Sequence, residues 1–162
     1  MNDVLRKAEL FQGLRDDELQ RLAALGRRQS LRVGEYLFLL GDTADRLYVV
    51  AEGQVDLCFP ISLRGAMKDI SVESVVEGEA LGWSALVKPY RFTLSARVTE
   101  PGEVVAFTRR ELLQFFGDEP RIGYTLLTKI SELVGIRLMK VQALWARELQ
   151  RTLTVGTEHR GQ

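Results

Sequence analysis

The chain has 162 residues, 46% of them hydrophobic and 27% charged, which supplies a real core for about one domain and excludes a disordered chain. Lys and Arg number 22 and Asp and Glu 22, so bulk charge does not hold it to nucleic acid or to an anionic membrane. A single cysteine, Cys58, excludes an internal disulfide, and a single histidine, His159, argues against histidine metal centres and a Ser-His-Asp triad.

The N-terminal residues Met1 to Lys7 contain no apolar run, and no stretch approaches the roughly 18 apolar residues of a membrane span. The expectation is a cytoplasmic protein with no membrane contact.

Residues 2–26 read as helical. Val4, Leu5, Ala8, Leu10 and Phe11 form an apolar stripe; Asp16 and Asp17 open a second run that Gly26 stops. Residues 27–108 alternate instead, with glycines at short intervals. Val55, Leu57 and Phe59 share one face of a strand, as do Ile70, Val72 and Val76. Arg64-Gly65 falls between these strands as a hairpin tip. Cys58, opposite Val55 and Leu57, reads as a half-exposed strand residue; a lone thiol with no basic neighbour in sequence is a weak redox signal. Several short strands with glycine turns point to a sandwich, barrel or jelly roll.

Helix returns at Arg109 to Phe116, closed by Gly117. Asp118-Glu119-Pro120 then starts a long helix to Arg151, about 48 Å at ~1.5 Å per residue. Leu127, Ile130, Val134, Val141 and Leu144 follow a three-four spacing interrupted by Arg137, with Leu126, Leu133 and Met139 beside them. A helix this long needs support along its side. Either that stripe is the seam of a homodimer, the favoured reading, or the helix lies along its own domain. The expected organisation is 1–117 for the N-terminal helices, barrel and short helix, 118–151 for the long helix, and 152–162 for a disordered polar tail.

The most informative stretch is Gly78-Glu79-Ala80-Leu81-Gly82-Trp83-Ser84-Ala85-Leu86, followed by Leu94-Ser95-Ala96-Arg97-Val98. It reads as a strand, a tight glycine turn, one helical turn, a loop through Pro89 and a second strand. Backbone N–H groups left open by such a turn form a nest for an anion.

With these residues the chain resembles the cyclic-nucleotide-binding domains, especially those of the catabolite-activator type of bacterial regulator. The likeness runs in order through Leu10-Phe11-Gln12-Gly13-Leu14, Gly34-Glu35-Tyr36-Leu37-Phe38, Gly41 to Val50, Gly53-Gln54-Val55, Gly78 to Val98 and the closing helices. No single motif decides it; their order does. The resemblance implies a mainly β fold with flanking α: a β jelly-roll barrel with N-terminal helices and a long C-terminal dimerisation helix.

The resemblance also implies a phosphate-binding cassette at Gly82, Trp83, Ser84, Ala85, Arg91, Leu94, Ser95 and Ala96, with a nucleotide or other small molecule as the only candidate ligand. The cassette departs from the family where charge is needed. Trp83 follows Gly82 where the family places a glutamate on the ribose hydroxyl. Leu94 precedes Ser95-Ala96 where the family places an arginine on the cyclic phosphate, in an alignment that needs one extra loop residue. Two charge-assisted hydrogen bonds of about 1.5–3 kcal/mol each are missing, which moves affinity by about two to four decades. Arg91 either swings in as a substitute or, with Lys88, is a solvated loop charge. Trp83 either stacks on a ligand ring or packs the cassette. Ser84 and Ser95 read first as turn and strand hydroxyls bonded to backbone, and Arg97 as a surface residue.

Only Thr152 to Gln162 follow the long helix, too few for a helix-turn-helix. The leading expectation is a stand-alone sensory module, homodimeric and acting through a protein partner, with no DNA binding of its own and a small ligand or none. The alternatives are a cyclic AMP or cyclic GMP receptor that uses Arg91, and the sensor part of a transcription regulator. An enzyme is not expected, because the β region has no histidine to ligate a metal as cupin barrels do; no catalytic residue and no metal site is assigned.

Overall fold

The computed structural model describes residues 2–158. The chain divides into two compact units, one ending at Leu127 and the other beginning at Thr128. The sequence placed a boundary after Gly117. The first unit instead takes in the root of the last helix, where Ile122 and Leu126 are fully buried.

The first unit opens with α1 (Asn2–Lys7), a 3-10 turn at Glu9–Phe11 and α2 (Asp16–Ala23). The helical stretch is broken between the turn and α2, where Gly13 adopts a left-handed φ of 91°. At the start of α2 the Arg15 amide donates to the Glu18 carboxylate at 2.8 Å, one arm of a capping box, with three acidic residues in the first turn. Phe11 packs edge-on against Phe107, with ring centroids 5.9 Å apart, and so ties this segment to the β body.

Six strands follow: β1 (Arg27–Leu31), β2 (Tyr36–Phe38), β3 (Arg46–Leu63), β4 (Ala66–Val75), β5 (Ala80–Leu81) and β6 (Ser95–Thr108). All pairings are antiparallel. The sheet order is β1-β6-β3-β4, with β2 also on β6 and β5 also on β3. The architecture is the mainly β, helix-flanked jelly roll that the resemblance implied. Where β3 and β6 bend together, a Cβ on Gly102 would run into the Glu52 carbonyl, so the close approach requires glycine. Arg64 and Gly65 form the hairpin tip, both at positive φ (51° and 82°), the handedness two-residue hairpin turns need.

Two strand expectations are corrected. Ile70, Val72 and Val76 do not form a buried face: all three are exposed, and Val75 enters the core instead. The cause is strand alternation: Val75 pairs with the buried Val55, which turns Val76 away, and Ile70 pairs with Phe59 beyond a bulge at Val72, between the Leu57–Glu73 and Cys58–Ser71 pairs. Phe59 lies beyond the covered part of β3 and is also exposed. Cys58 is buried rather than half-exposed, at 3% of its surface.

The unit closes with α3 (Arg109–Asp118) and the first turns of α4 (Pro120–Glu158). Thr108 caps α3 by accepting the Glu111 amide at 3.2 Å and donating to the Glu111 carboxylate at 2.6 Å. Gly117 lies inside the last turn of α3 rather than ending it.

The second unit is the remainder of α4. The helix continues past Arg151 to Glu158, so Thr152 onward is not a coil over that span; His159 to Gln162 lie outside the described residues. Leu127, Val141 and Leu144 of the expected seam are exposed and Val134 is half-buried, but Ile130 is buried, at 2% exposure. Leu138 and Trp145, which the sequence reading passed over, are exposed at 55% and 68%. They follow Val134 and Val141 at i+4 and so lie on the same face.

Candidate functional site

The cassette is built where β5 leaves β3. Leu81 pairs with Tyr48, and Gly82 then turns the chain at φ 79°, ψ 25°. A Cβ at Gly82 would stand 2.8 Å from the Arg46 carbonyl and 3.3 Å from the Tyr48 ring. The turn therefore requires glycine both for its left-handed backbone and for the space. Trp83, Ser84 and Ala85 make one 3-10 turn. Its amides are used in part within it: the Ala85 N–H donates to the Gly82 carbonyl at 3.0 Å and the Leu86 N–H to Trp83 at 2.9 Å.

Ser84 and Ala85 are buried and Trp83 is half-buried. Ala85 belongs to the core cluster with Leu81, Tyr48, Phe38, Phe92 and Ala96. Phe92 stacks on Phe38 with centroids 3.7 Å apart and approaches the open position above Gly82 to within 3.5 Å. An aromatic layer thus fills the space directly behind the cassette turn. Burial raises the Tyr48 phenol above its ordinary value, with the Arg46 guanidinium beside it acting the other way.

Leu94, Ser95 and Ala96 lead into β6. Leu94 packs, half-buried, against the same core cluster, and Ala96 is fully buried opposite Leu57. The Ser95 hydroxyl is buried and accepts the Leu40 amide at 3.0 Å, so it serves the backbone. Arg91 is exposed, and its Nη1 donates to the Gly41 carbonyl at 2.8 Å. Arg97 lies on the outer face, opposite Asp56 and Tyr36.

Thus Gly82, Ser84, Ala85 and Ala96 come together with the aromatic layer, while Arg91 is held away on the loop at Gly41. The loop between Leu86 and Leu94 is zipped to residues 41–44. The Gly41 N–H donates to Phe92 and the Ala44 N–H to Tyr90, each at 2.8 Å. Sequence reading missed Phe38, Tyr48 and Phe92 as cassette residues. Their only signal was aromatic character, which does not say that three separate segments, two strands and a loop, converge.

A family model described as the cyclic nucleotide-binding domain matches residues 28–119, from β1 to the end of α3. The chain belongs to the cyclic nucleotide-binding domain family. Its fold resembles the N-terminal domain of a transcriptional regulator from Streptomyces coelicolor, at 31% identity and a TM-score of 0.67, covering 82% of this chain and 92% of that one. It is 27% identical over 122 residues to the cyclic AMP receptor protein of Thermus thermophilus, covering 75% of this chain and 55% of the relative. It is likewise 27% identical over 141 residues to glutaminase 1 of Bradyrhizobium diazoefficiens, covering 86% of this chain and 21% of the relative. The chain therefore spans about a fifth and about half of these two curated relatives. It is a cyclic nucleotide-binding-fold module. Among the described residues no cluster of His, Cys, Asp or Glu could hold a metal ion, and no helix is long and apolar enough to cross a membrane.

Proposed function

We propose that this module is regulatory, that it works as a homodimer through α4 and on a protein partner, and that its cassette does not hold a cyclic nucleotide in the family's usual way. The observation that carries the reading is the content of the cassette. Phe92, stacked on Phe38, fills the space behind Gly82; Leu94 packs against the core; Ser95 is committed to the Leu40 amide and Arg91 to the Gly41 carbonyl. A cyclic phosphate brought there would lose water and meet aromatic and aliphatic surface, an unfavourable exchange for an anion. A less polar small molecule that displaces Trp83 is the ligand class such a lining tolerates.

Support for the homodimer is the exposed stripe of Val141, Leu138, Trp145 and Leu149 on α4, spaced for a two-stranded seam. Calorimetric titration with cyclic AMP and cyclic GMP tests the cassette: no saturable heat is expected, and micromolar binding lost in Arg91→Ala overturns it. Sedimentation equilibrium tests the seam. A dimer that Val141→Asp with Trp145→Asp converts to monomer is expected; a monomeric parent chain overturns it.

A further inference from the structure

We infer that Arg109 is a positioning residue that couples the cassette loop to α3, with the Tyr90 ring as its handle. The inference rests on the regulatory reading above, because it names the route by which a change in the cassette reaches the helices. Tyr90 sits in the loop between the cassette turn and β6 and has a left-handed φ of 59°, a conformation an aromatic residue adopts only when its surroundings hold it there. Its ring lies under the Arg109 guanidinium, 4.5 Å from Cζ to the centroid, within cation–π range.

Arg109 is the first residue of α3. Its amide donates to the Asp45 carbonyl at 2.7 Å and its Nη1 to the Ala44 carbonyl at 2.8 Å. The Ala44 amide in turn donates to the Tyr90 carbonyl. One arginine thereby grips the loop by its ring and by the strip the loop is zipped to. The next joint has no slack either: a Cβ on Gly123 of α4 would stand 2.8 Å from the Phe116 Cβ of α3. A displacement of Tyr90 shifts the first turn of α3, and α3 cannot shift without the root of α4.

Linkage makes such coupling reciprocal, so it is measurable with no ligand present. Amide hydrogen exchange on the full chain reads it from both ends. Arg109→Gln is expected to speed exchange of the Tyr90, Phe92 and Ala44 amides, and Tyr90→Leu that of the Arg109 and Glu111 amides, each by about two- to tenfold. Tyr90→Phe, which keeps the ring, is expected to leave the α3 amides at parental rates. Equal rates in the Leu and Phe variants, or effects confined to the mutated segment, overturn the coupling. So does an equal effect of Arg110→Gln on the loop. Nucleotide binding or a monomeric chain would instead overturn the regulatory reading and leave these rates as they are.

Discussion

The Phe92 ring lies flat on Phe38, with centroids 3.7 Å apart and planes 8° from parallel. The two residues are far apart in the chain, one before the cassette turn and the other after it. Truncating one leaves the other facing a void directly behind Gly82. Phe92→Ala is expected to lower stability by about 3–5 kcal/mol, read from the urea midpoint. A loss under about 1 kcal/mol would mean that the layer collapses or is hydrated.

Gly82 tests the turn itself. Gly82→Ala places a methyl group 2.8 Å from the Arg46 carbonyl in a left-handed backbone. A loss of about 1–3 kcal/mol in thermal or urea unfolding is expected. Gly65→Ala, with open space around its Cβ position, bears only the backbone penalty and should lose less.

Cys58 has its thiol pushed above the ordinary value by burial, with Asp69 and Asp56 adding to the shift. The reactive thiolate is therefore scarce and covered. Ellman-type labelling at neutral pH is expected to be slow in the folded chain and complete within mixing time in denaturant. Fast labelling of the native protein would contradict the buried placement.

Asp56 titrates in a definable window. Burial pushes its carboxyl up, but donors from Ser74, Ser71, Gln54 and Thr99 prevail and hold it below the ordinary 3.8. A depressed folded value adds stability above the unfolded value, and that stability is lost as pH falls through the folded one. The stability gap between the parent and Asp56→Asn should thus be full at neutral pH and shrink below about pH 4. A gap independent of pH would show that the hydrogen bonds do not depend on the charge.

Glu18 is 2% exposed and shared by two guanidinium groups, Arg15 at 3.2 Å and Arg121 at 2.9 Å. Arg121→Met removes one of its two partners, and a loss of about 1–3 kcal/mol is expected. Glu18→Met is expected to lose more than Arg121→Met, because Glu18 also accepts the Arg15 amide at the start of α2. An equal or smaller loss would contradict this.

Local signals carried most of the fold. The glycine spacing and alternation from Arg27 to Thr108 marked the β body, Arg64-Gly65 the hairpin tip, and Pro120 the start of α4, because each is decided within a few residues. Which face of β4 is covered was not legible, since it depends on the pairing of Val75 with Val55, and the bulge at Val72 was not legible either, since it depends on how β4 meets β3. Ile130 fits the seam spacing yet is buried, because periodicity gives a face but not its exposure. The cassette was located by Gly82 and Ser95-Ala96. Its lining was not, because Phe38, Tyr48 and Phe92 meet only through the register of β2, β3 and the loop at Gly41. The role of Arg91 likewise turned on one backbone carbonyl that no local pattern announces.

The central claim concerns what the cassette can hold, and a crystal soaked with cyclic AMP near its intracellular concentration tests it most directly. The expected map keeps Phe92 on Phe38, keeps Arg91 on the Gly41 carbonyl, and has no nucleotide density between Gly82 and Leu94. A nucleotide seated there, with the Arg91 guanidinium turned from Gly41 onto its phosphate, would contradict it.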